Sequence, residues 1–531
     1  MSRPAPRLPF AVLLTAALSA AVAISDPAAD PGSRTDTGDR GAPLAALTPL
    51  VPAADAVAST HYCAAGTGLE GGVADHTVVV VNPGDAPVTA RVTAYGGEAA
   101  GWDASVDGAA DRAHSLTVGP GTRADVRLGD LVAARYVAAV VEVEGGPAVV
   151  EHEVEGPLGR DRGPCATRAG TSWHLAWGST TRDAREVLVV FNPFPSPASV
   201  DLVLRTDGGG RKPVAFQGVP VPGGGVVALD VGAEVRREQD VAATVATRRG
   251  RVVVERLQTF DGSDGPSGLS VALASPEPAT AWAFAGGEVG PSGAPVIAVY
   301  NPGRERAEVE VAVLPEAGAE GSSTAPPHPF GLSIGPGDVR LVRLGDEARV
   351  PVGVGLAVVV TSRNGVPVVA ERVLRTVATG DGSEAAEAAG DASEAARAGD
   401  GAAEAGLAAG PGSPAAARTW WLGATEGDGS RPTVTVLNPD SGGWARITLQ
   451  AVAGRSIAEE AAVRVPPGGQ RTIQLGGDTL DRVAVLVLES TAPVVAERAM
   501  GSGGVVEELA PGIPEADGAV ILPTDLADAA G

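Results

Sequence analysis

The chain is 531 residues long, carries a formal net charge of −24 and has a sequence pI of about 4.7. That length calls for several domains, and the acidic balance repels a phosphate backbone, so no nucleic-acid partner is expected. Only 3% of residues are aromatic in a chain that is 44% hydrophobic. Its cores therefore have to be built from Val, Leu and Ala, and β-branched Val favours strands.

Arg3 and Arg7 precede an uncharged stretch from Leu8 to Ser25. A positive flank before an apolar run is the pattern of an export signal, so residues 1–25 are expected to be a signal peptide or a membrane anchor. Either outcome places the body outside the cytoplasm, secreted or anchored, with the membrane touched only through this segment. Residues 26–57 are rich in Asp, Pro, Ala and Gly without periodicity, and read as a flexible tether.

Beyond the tether one pattern recurs four times. It opens on an aromatic strand, at Tyr62, Trp173, Trp282 and Trp420. A Val-rich run then stops at Asn82-Pro83, Asn192-Pro193, Asn301-Pro302 and Asn438-Pro439. A Pro-Gly turn follows, at Pro120-Gly121, Pro222-Gly223, Pro336-Gly337 and Pro467-Gly468. Each copy closes on a hydrophobic strand ending in an acid and a base: Glu151-His152, Glu255-Arg256, Glu371-Arg372 and Glu497-Arg498. The Asn positions are 110, 109 and 137 residues apart. A period of that length is a domain, not a solenoid turn.

The repeats are bounded at 58–168, 169–278, 279–378 and 418–512. Repeat 2 shows about seven strand signals, among them the buried run Glu186–Phe191 and the alternating Val200–Arg205. Seven short strands with turns between them, and no sustained helical period, predict an all-β fold of four tandem immunoglobulin-like β-sandwich domains. Residues 379–417 hold seven acids against Arg397, with Leu407 the single large apolar residue. Such a segment cannot bury a core and reads as a disordered Ala/Gly/acidic linker. Residues 513–531 read as a loose C-terminal tail.

Cys63 and Cys165 are the two cysteines, at opposite ends of repeat 1. An even count in an exported chain predicts a disulfide. The Asn-Pro pairs read as structural, since Asn bonds its own backbone two residues on and Pro fixes the next φ. Adjacent strand residues face opposite ways, so each Glu and each Arg is expected to pair with a neighbouring strand or domain. Trp173 and Trp177 lie four apart and offer a sugar platform, set against a core role for a repeated Trp. Trp102 and Trp444 fall outside the repeat pattern and suit surface contacts. The six histidines make no metal or catalytic spacing, and the sequence offers no nucleophile, phosphate-loop or dinucleotide motif, so neither a cofactor nor a catalytic or metal site is expected. Asp261–Gly265 only faintly suggests a calcium loop.

With these residues assembled, the chain resembles a family of secreted actinobacterial proteins of unknown function. The resemblance rests on the aromatic strand, the Asn-Pro stop, the Pro-Gly turn and a closing PVVAER strand, read here at Pro367–Arg372 and Pro493–Arg498. It covers roughly residues 58–512 and implies an envelope-associated protein, with no chemistry to transfer. The sequence thus points to a non-enzymatic envelope or surface protein, a scaffold, spacer or adhesion array whose partners are envelope proteins or cell-wall glycans. Carbohydrate binding through exposed aromatics is the second reading and a cell-wall glycan hydrolase the third.

Overall fold

The computed structural model describes residues 44–99, 112–316, 326–378, 405–423, 433–453, 456–474, 483–501, 505–506 and 508–524. The expected signal segment 1–25, most of the acidic segment and Trp102 lie outside the described residues. Among those described the regular secondary structure is almost entirely strand.

Repeat 1 runs β1 (Ala58–Cys63), β2 (Asp75–Val81), β3 (Val88–Ala99), β4 (Arg112–Val118), β5 (Arg123–Arg127), β6 (Tyr136–Glu144), β7 (Val149–Gly156) and β8 (Gly159–Pro164). Hydrogen bonding orders them β1-β6-β3-β4 in one sheet and β5-β2-β7-β8 in the other. Repeat 2 runs β9 (Ser172–Leu175), β10 (Ala184–Asn192), β11 (Ala198–Thr206), β12 (Gly209–Arg211), β13 (Val219–Val221), β14 (Gly225–Asp230), β15 (Ala242–Arg249), β16 (Val253–Phe260) and β17 (Gly268–Leu273). Its sheets are β9-β15-β11, edged by β12 and β13, and β14-β10-β16-β17. Val214–Phe216 is a single 3-10 turn.

Repeat 3 comprises β18 (Ala281–Phe284), β19 (Val296–Tyr300), β20 (Ala307–Pro315), β21 (Phe330–Ile334), β22 (Val339–Arg343), β23 (Leu356–Ser362), β24 (Val369–Val377) and β25 (Ala405–Pro411). The orders repeat those of repeat 1: β18-β23-β20-β21 and β22-β19-β24-β25. Repeat 4 has β26 (Ala415–Gly423), β27 (Thr433–Leu437), β28 (Ala445–Ala453), β29 (Ser456–Val465), β30 (Gln470–Gln474), β31 (Val485–Met500) and β32 (Glu508–Pro511). Here one long strand, β31, serves both sheets, pairing with β26 and β28 at its start and with β27 and β32 at its end. Two short strands follow, β33 (Ile513–Pro514) and β34 (Val520–Ile521), both laid against β26.

Three expectations are corrected by this layout. The segment 379–417 is not a linker between domains, because its end is β25, the eighth strand of repeat 3. β25 pairs with β24 from Glu371↔Pro411 to Val377↔Ala405, and Leu407 is buried. The acidic stretch is thus an insertion in a hairpin. Its Ala/Gly composition, which argued against a strand, suits the close approach there: a Cβ at Gly268 of β17 would sit 2.4 Å from that of Leu407. Residues 44–57 are not a free tether. Leu47 packs into the repeat 3 core, and Val51 bridges to Glu515. The tail is likewise docked as far as Leu522, which is 2% exposed.

The inward faces of the two sheets enclose a core in each repeat, Val78, Val80 and Val150 in repeat 1 and Ile297, Val299 and Val311 in repeat 3. The unbroken Val runs follow from burial on both faces. In β2 the alternate residues Val79 and Val81, with Val149, pack on Val485, Val487 and Ile513 of repeat 4. The same outer-face packing joins repeat 2 to repeat 3 through Trp177, Phe260, Ala298 and Val369, and repeat 3 to repeat 4 through Ala283, Val359, Leu437 and Val495. Repeats 1 and 2 share one cluster, Tyr136 and Ala138 lying with Val189 and Val253. Each repeat therefore contacts the next, and the fourth contacts the first, so the packing closes into a ring. Between repeats 1 and 2 the sheets also fuse, β3 pairing in parallel with β14. Gly97 is required at that crossing, since a Cβ there would stand 2.0 Å from the Val226 carbonyl oxygen.

Candidate functional site: the acid–base circuit between repeats

The recurrent motifs divide into two structural sets. The first is a knot at one end of each repeat. Asn82, Asn192, Asn301 and Asn438 are all buried. The Asn301 amide donates to Glu305 O (2.7 Å) and Ile334 O (3.0 Å), while its Oδ1 accepts the Gly303 amide at 2.9 Å. The other three asparagines make the same pattern, with Oδ1 accepting from Gly84, Phe194 and Asp440. Pro83, Pro193, Pro302 and Pro439 fix the chain after each. The knot reaches the Pro-Gly turn: the Gly121 and Gly337 amides donate to the carbonyls of Asn82 and Asn301. Gly121, Gly337 and Gly468 have φ of 62°, 69° and 59°, as the third position of a type II turn requires. In repeat 2 the turn is shifted by one residue, and Gly224 takes that φ rather than Gly223.

The aromatic strand also needs correction. Trp173, Trp282 and Trp420 are buried, and each donates its indole N–H at 2.8 Å to a carbonyl, of Val252, Val368 and Val494. Strand register puts His61, not Tyr62, in the matching slot: His61 pairs with Val141 as Trp173 pairs with Val245. Tyr62 faces outward onto repeat 2. Cys63 then corresponds to Leu175, Phe284 and Leu422, and it is bonded to Cys165. In repeats 3 and 4 the same position lies over a glycine, Phe284 on Gly412 and Leu422 on Gly512.

The second set is the acid–base pair, and it forms a circuit. Glu and its basic neighbour alternate across the strand. The Glu reaches back to the preceding repeat and the basic residue reaches forward to the next. Glu371 Oε1 accepts the Ala176 amide at 2.9 Å, and its Oε2 accepts Arg256 Nη1 at 2.6 Å. Glu497 Oε2 accepts the Gly286 amide at 2.7 Å and Arg372 Nη1 at 2.8 Å. Glu255 Oε2 accepts the amides of Ala64 and Ala65 (3.1 and 2.6 Å) and faces His152 Nε2 at 3.4 Å. Glu151 Oε1 stands 3.8 Å from Arg498 Nη1 and closes the circuit from repeat 4 to repeat 1. Each arginine also caps the end of its own first strand, Arg256 on Trp177 O, Arg372 on Gly286 O and Arg498 on Gly423 O.

These side chains are at most 5% exposed. The closing seam carries extra charge: Arg162 pairs with Glu153 and Arg498 with Glu508. Burial lowers Arg498 to about 10, opposed by Glu151. Burial raises Asp161 to about 7, against hydrogen bonds from Ser270, Val271 and Arg162. It raises Glu186 and Glu255 to about 8. His152 is held well below its usual value by burial and by His76, and burial brings His76 to about 4.

Two cavities adjoin the circuit. One, of about 60 Å³, lies where β8, β17, β25 and β32 converge, beneath Leu47–Pro49. The other, of about 380 Å³, opens between repeats 2 and 3. Its aspartates are engaged: Asp240 accepts from Arg343 (2.6 Å) and Trp177 (3.1 Å), and Asp183 from Arg375 (3.4 Å). Among the described residues no group of three or more His, Cys, Asp or Glu could hold a metal. The Asp261 carboxylate accepts the Ser263 amide within its own turn. Among the described residues no helix is long and apolar enough to cross a membrane.

The repeat geometry can be set beside known proteins. Residues 149–377 match the model of a family of unknown function, DUF5719. That span holds all of repeat 2, repeat 3 up to β24, and the acid–base pairs of repeats 1 to 3. No curated protein matches the chain. Among solved structures, Thermotoga maritima 1070 is 20% identical over 19% of this chain and 84% of its own, with a TM-score of 0.16. The Anabaena sensory rhodopsin transducer is 26% identical over 18% of this chain and 96% of its own, with a TM-score of 0.15.

Proposed function

We propose that the protein is a non-enzymatic, extracytoplasmic scaffold in which four immunoglobulin-like β-sandwich repeats close on one another and hold envelope proteins or cell-wall glycans at their periphery. One observation carries this reading. The asparagines and acid–base residues that recur in every copy are buried and spent on holding strands and repeats together. A reacting site needs open access and a single constellation, whereas this circuit offers four sealed ones. The closed packing of the repeats supports a compact multivalent body, on which weak contacts add, over an extended spacer. Arg3, Arg7 and the apolar stretch to Ser25 support export, by cleaved signal or by anchor.

Carbohydrate binding remains the second reading, resting now on Trp444, which is 52% exposed with the Arg464 guanidinium 4.8 Å from its ring. Trp173 and Trp177 are buried and leave that argument. The test is a pull-down with residues 44–531 against envelope proteins and cell-wall glycans. Retention of a protein partner supports the scaffold. Glycan retention abolished by Trp444→Ala moves the assignment to carbohydrate binding, and turnover of an envelope polymer overturns both.

A further inference from the structure

Three seams of the circuit close on an arginine and one closes on a histidine. At the seam between repeats 1 and 2 the hydrogen bonds fix where the protons sit. A carbonyl oxygen can only accept, so His76 Nδ1, 3.0 Å from Val137 O, carries a hydrogen. Neutral His76 then presents Nε2 as an acceptor, and the donor 3.0 Å away is His152 Nδ1. Neutral His152 in turn presents a bare Nε2 to Glu255 Oε2 at 3.4 Å. Two acceptors would oppose each other there unless a proton lies between them. The other Glu255 oxygen is buried without a partner among the described residues, so the charge of an ionised carboxylate is met only by the two amides.

We propose that the seam between repeats 1 and 2 is a pH-sensitive latch, held shut by one proton shared between His152 Nε2 and Glu255 Oε2. The groups meeting at this point are His76 from β2, His152 from β7, Glu255 from β16 and the uncharged Gly163 of β8. The other charged groups on these strands are turned elsewhere. Glu151 faces Arg498, Arg256 faces Glu371, Arg162 binds Glu153, and Asp161 accepts from Ser270 and Val271. No fixed cation of those strands replaces the proton when it leaves. An ionised Glu255 would then confront a lone pair inside a buried seam, and the seam loosens.

The sign follows from linkage. A carboxyl raised to about 8 gives stability that is complete below its unfolded value near 4.5 and lost as pH rises through 8. The lowered histidines act oppositely, their stability being lost as pH falls from 6.5 toward 4. The two effects oppose each other at acid pH, and the carboxyl acts without the histidines from about 6.5 to 8. The experiment is equilibrium unfolding of the full chain from pH 6.5 to 8.5, for the wild type, Glu255→Gln and His152→Arg. Both variants should lose one proton of linkage, a tenfold smaller change in unfolding constant per pH unit. Glu186 and Asp161, both raised into this range, contribute equally to all three proteins and cancel. Ring nitrogen NMR of the wild type should show His76 and His152 as neutral Nδ1–H tautomers at pH 7, with the His152 Nε2 signal moving between pH 7 and 9. Variant slopes equal to wild type, or a His152 signal that stays constant across that range, would overturn the latch. The NMR measurement decides the matter if neither variant folds.

Discussion

At the scale of single residues, the repeats are held by polar side chains that never meet solvent. Asn301 fills three hydrogen bonds at a point where strand, loop and turn meet. Asn301→Ala leaves two carbonyls and an amide unpaired in the interior, so a loss of about 2–4 kcal/mol is expected in thermal or denaturant unfolding. Glu186 is buried with neither carboxyl oxygen partnered among the described residues. Its raised value means it is carried as the neutral acid, and its stability contribution is present at low pH and lost as pH rises through about 8. Glu186→Gln, neutral at every pH, should flatten stability between pH 5 and 8; a slope unchanged from wild type would refute the buried acid. The asparagines were legible from sequence because Asn-Pro has a local meaning. Glu186 was not, since nothing in the run EVLVVF tells which face of the strand its first residue takes.

At the scale of strands and seams, an acid–base pair spans each junction beside its apolar contacts. Arg256 and Glu371 are both fully buried and 2.6 Å apart. Removing one partner strands the other, so Arg256→Ala should cost about 3–5 kcal/mol. A double change to well-packed apolar residues should recover most of that loss. A double-mutant cycle in urea tests this, and additive losses would show that the two do not interact. The disulfide takes the place of the large-on-small contacts in repeats 3 and 4. It spans 102 residues, and its reduction or a Cys63→Ala/Cys165→Ala change is expected to cost about 2–5 kcal/mol. That loss should appear first in repeat 1, read by hydrogen exchange of β1 and β7. That each Glu and its basic neighbour face opposite ways was readable from period-2 alternation. Their partners were not, because these lie 115 and 125 residues away for Arg256 and Arg372.

At the scale of the whole molecule, the fourth repeat returns to the first. The closing seam combines Val79, Val81 and Val149 with Val485, Val487 and Ile513, and the strap from Val51 to Glu515 lies across it. Leu44–Gly531 clusters as one unit. A compact body of that length has a radius of gyration of about 23 Å, well below that of four domains strung end to end. Small-angle scattering of residues 44–524 checks this, and an extended profile would refute closure. Deleting repeat 4 opens two seams at once, so the remaining repeats should lose more stability than deletion of one end of a linear array would cause.

Sequence alone determined the all-β character, the fourfold repeat, the turns and the cysteine pair, because each rests on local chemistry: β-branched runs, Asn-Pro stops, Pro-Gly turns and an even thiol count. It misplaced Tyr62 by one residue, since register depends on the partner strand and His61 is not hydrophobic enough to announce the slot of a tryptophan. It also read Ala405–Pro411 as linker, because small residues look weakly hydrophobic until a second strand approaches too closely for anything larger. Only the tertiary structure decided that Val runs are buried on both faces, that the acid–base pairs link successive repeats, and that the last repeat meets the first. Those outcomes depend on which outer faces come together across more than a hundred residues of chain, which no local pattern encodes.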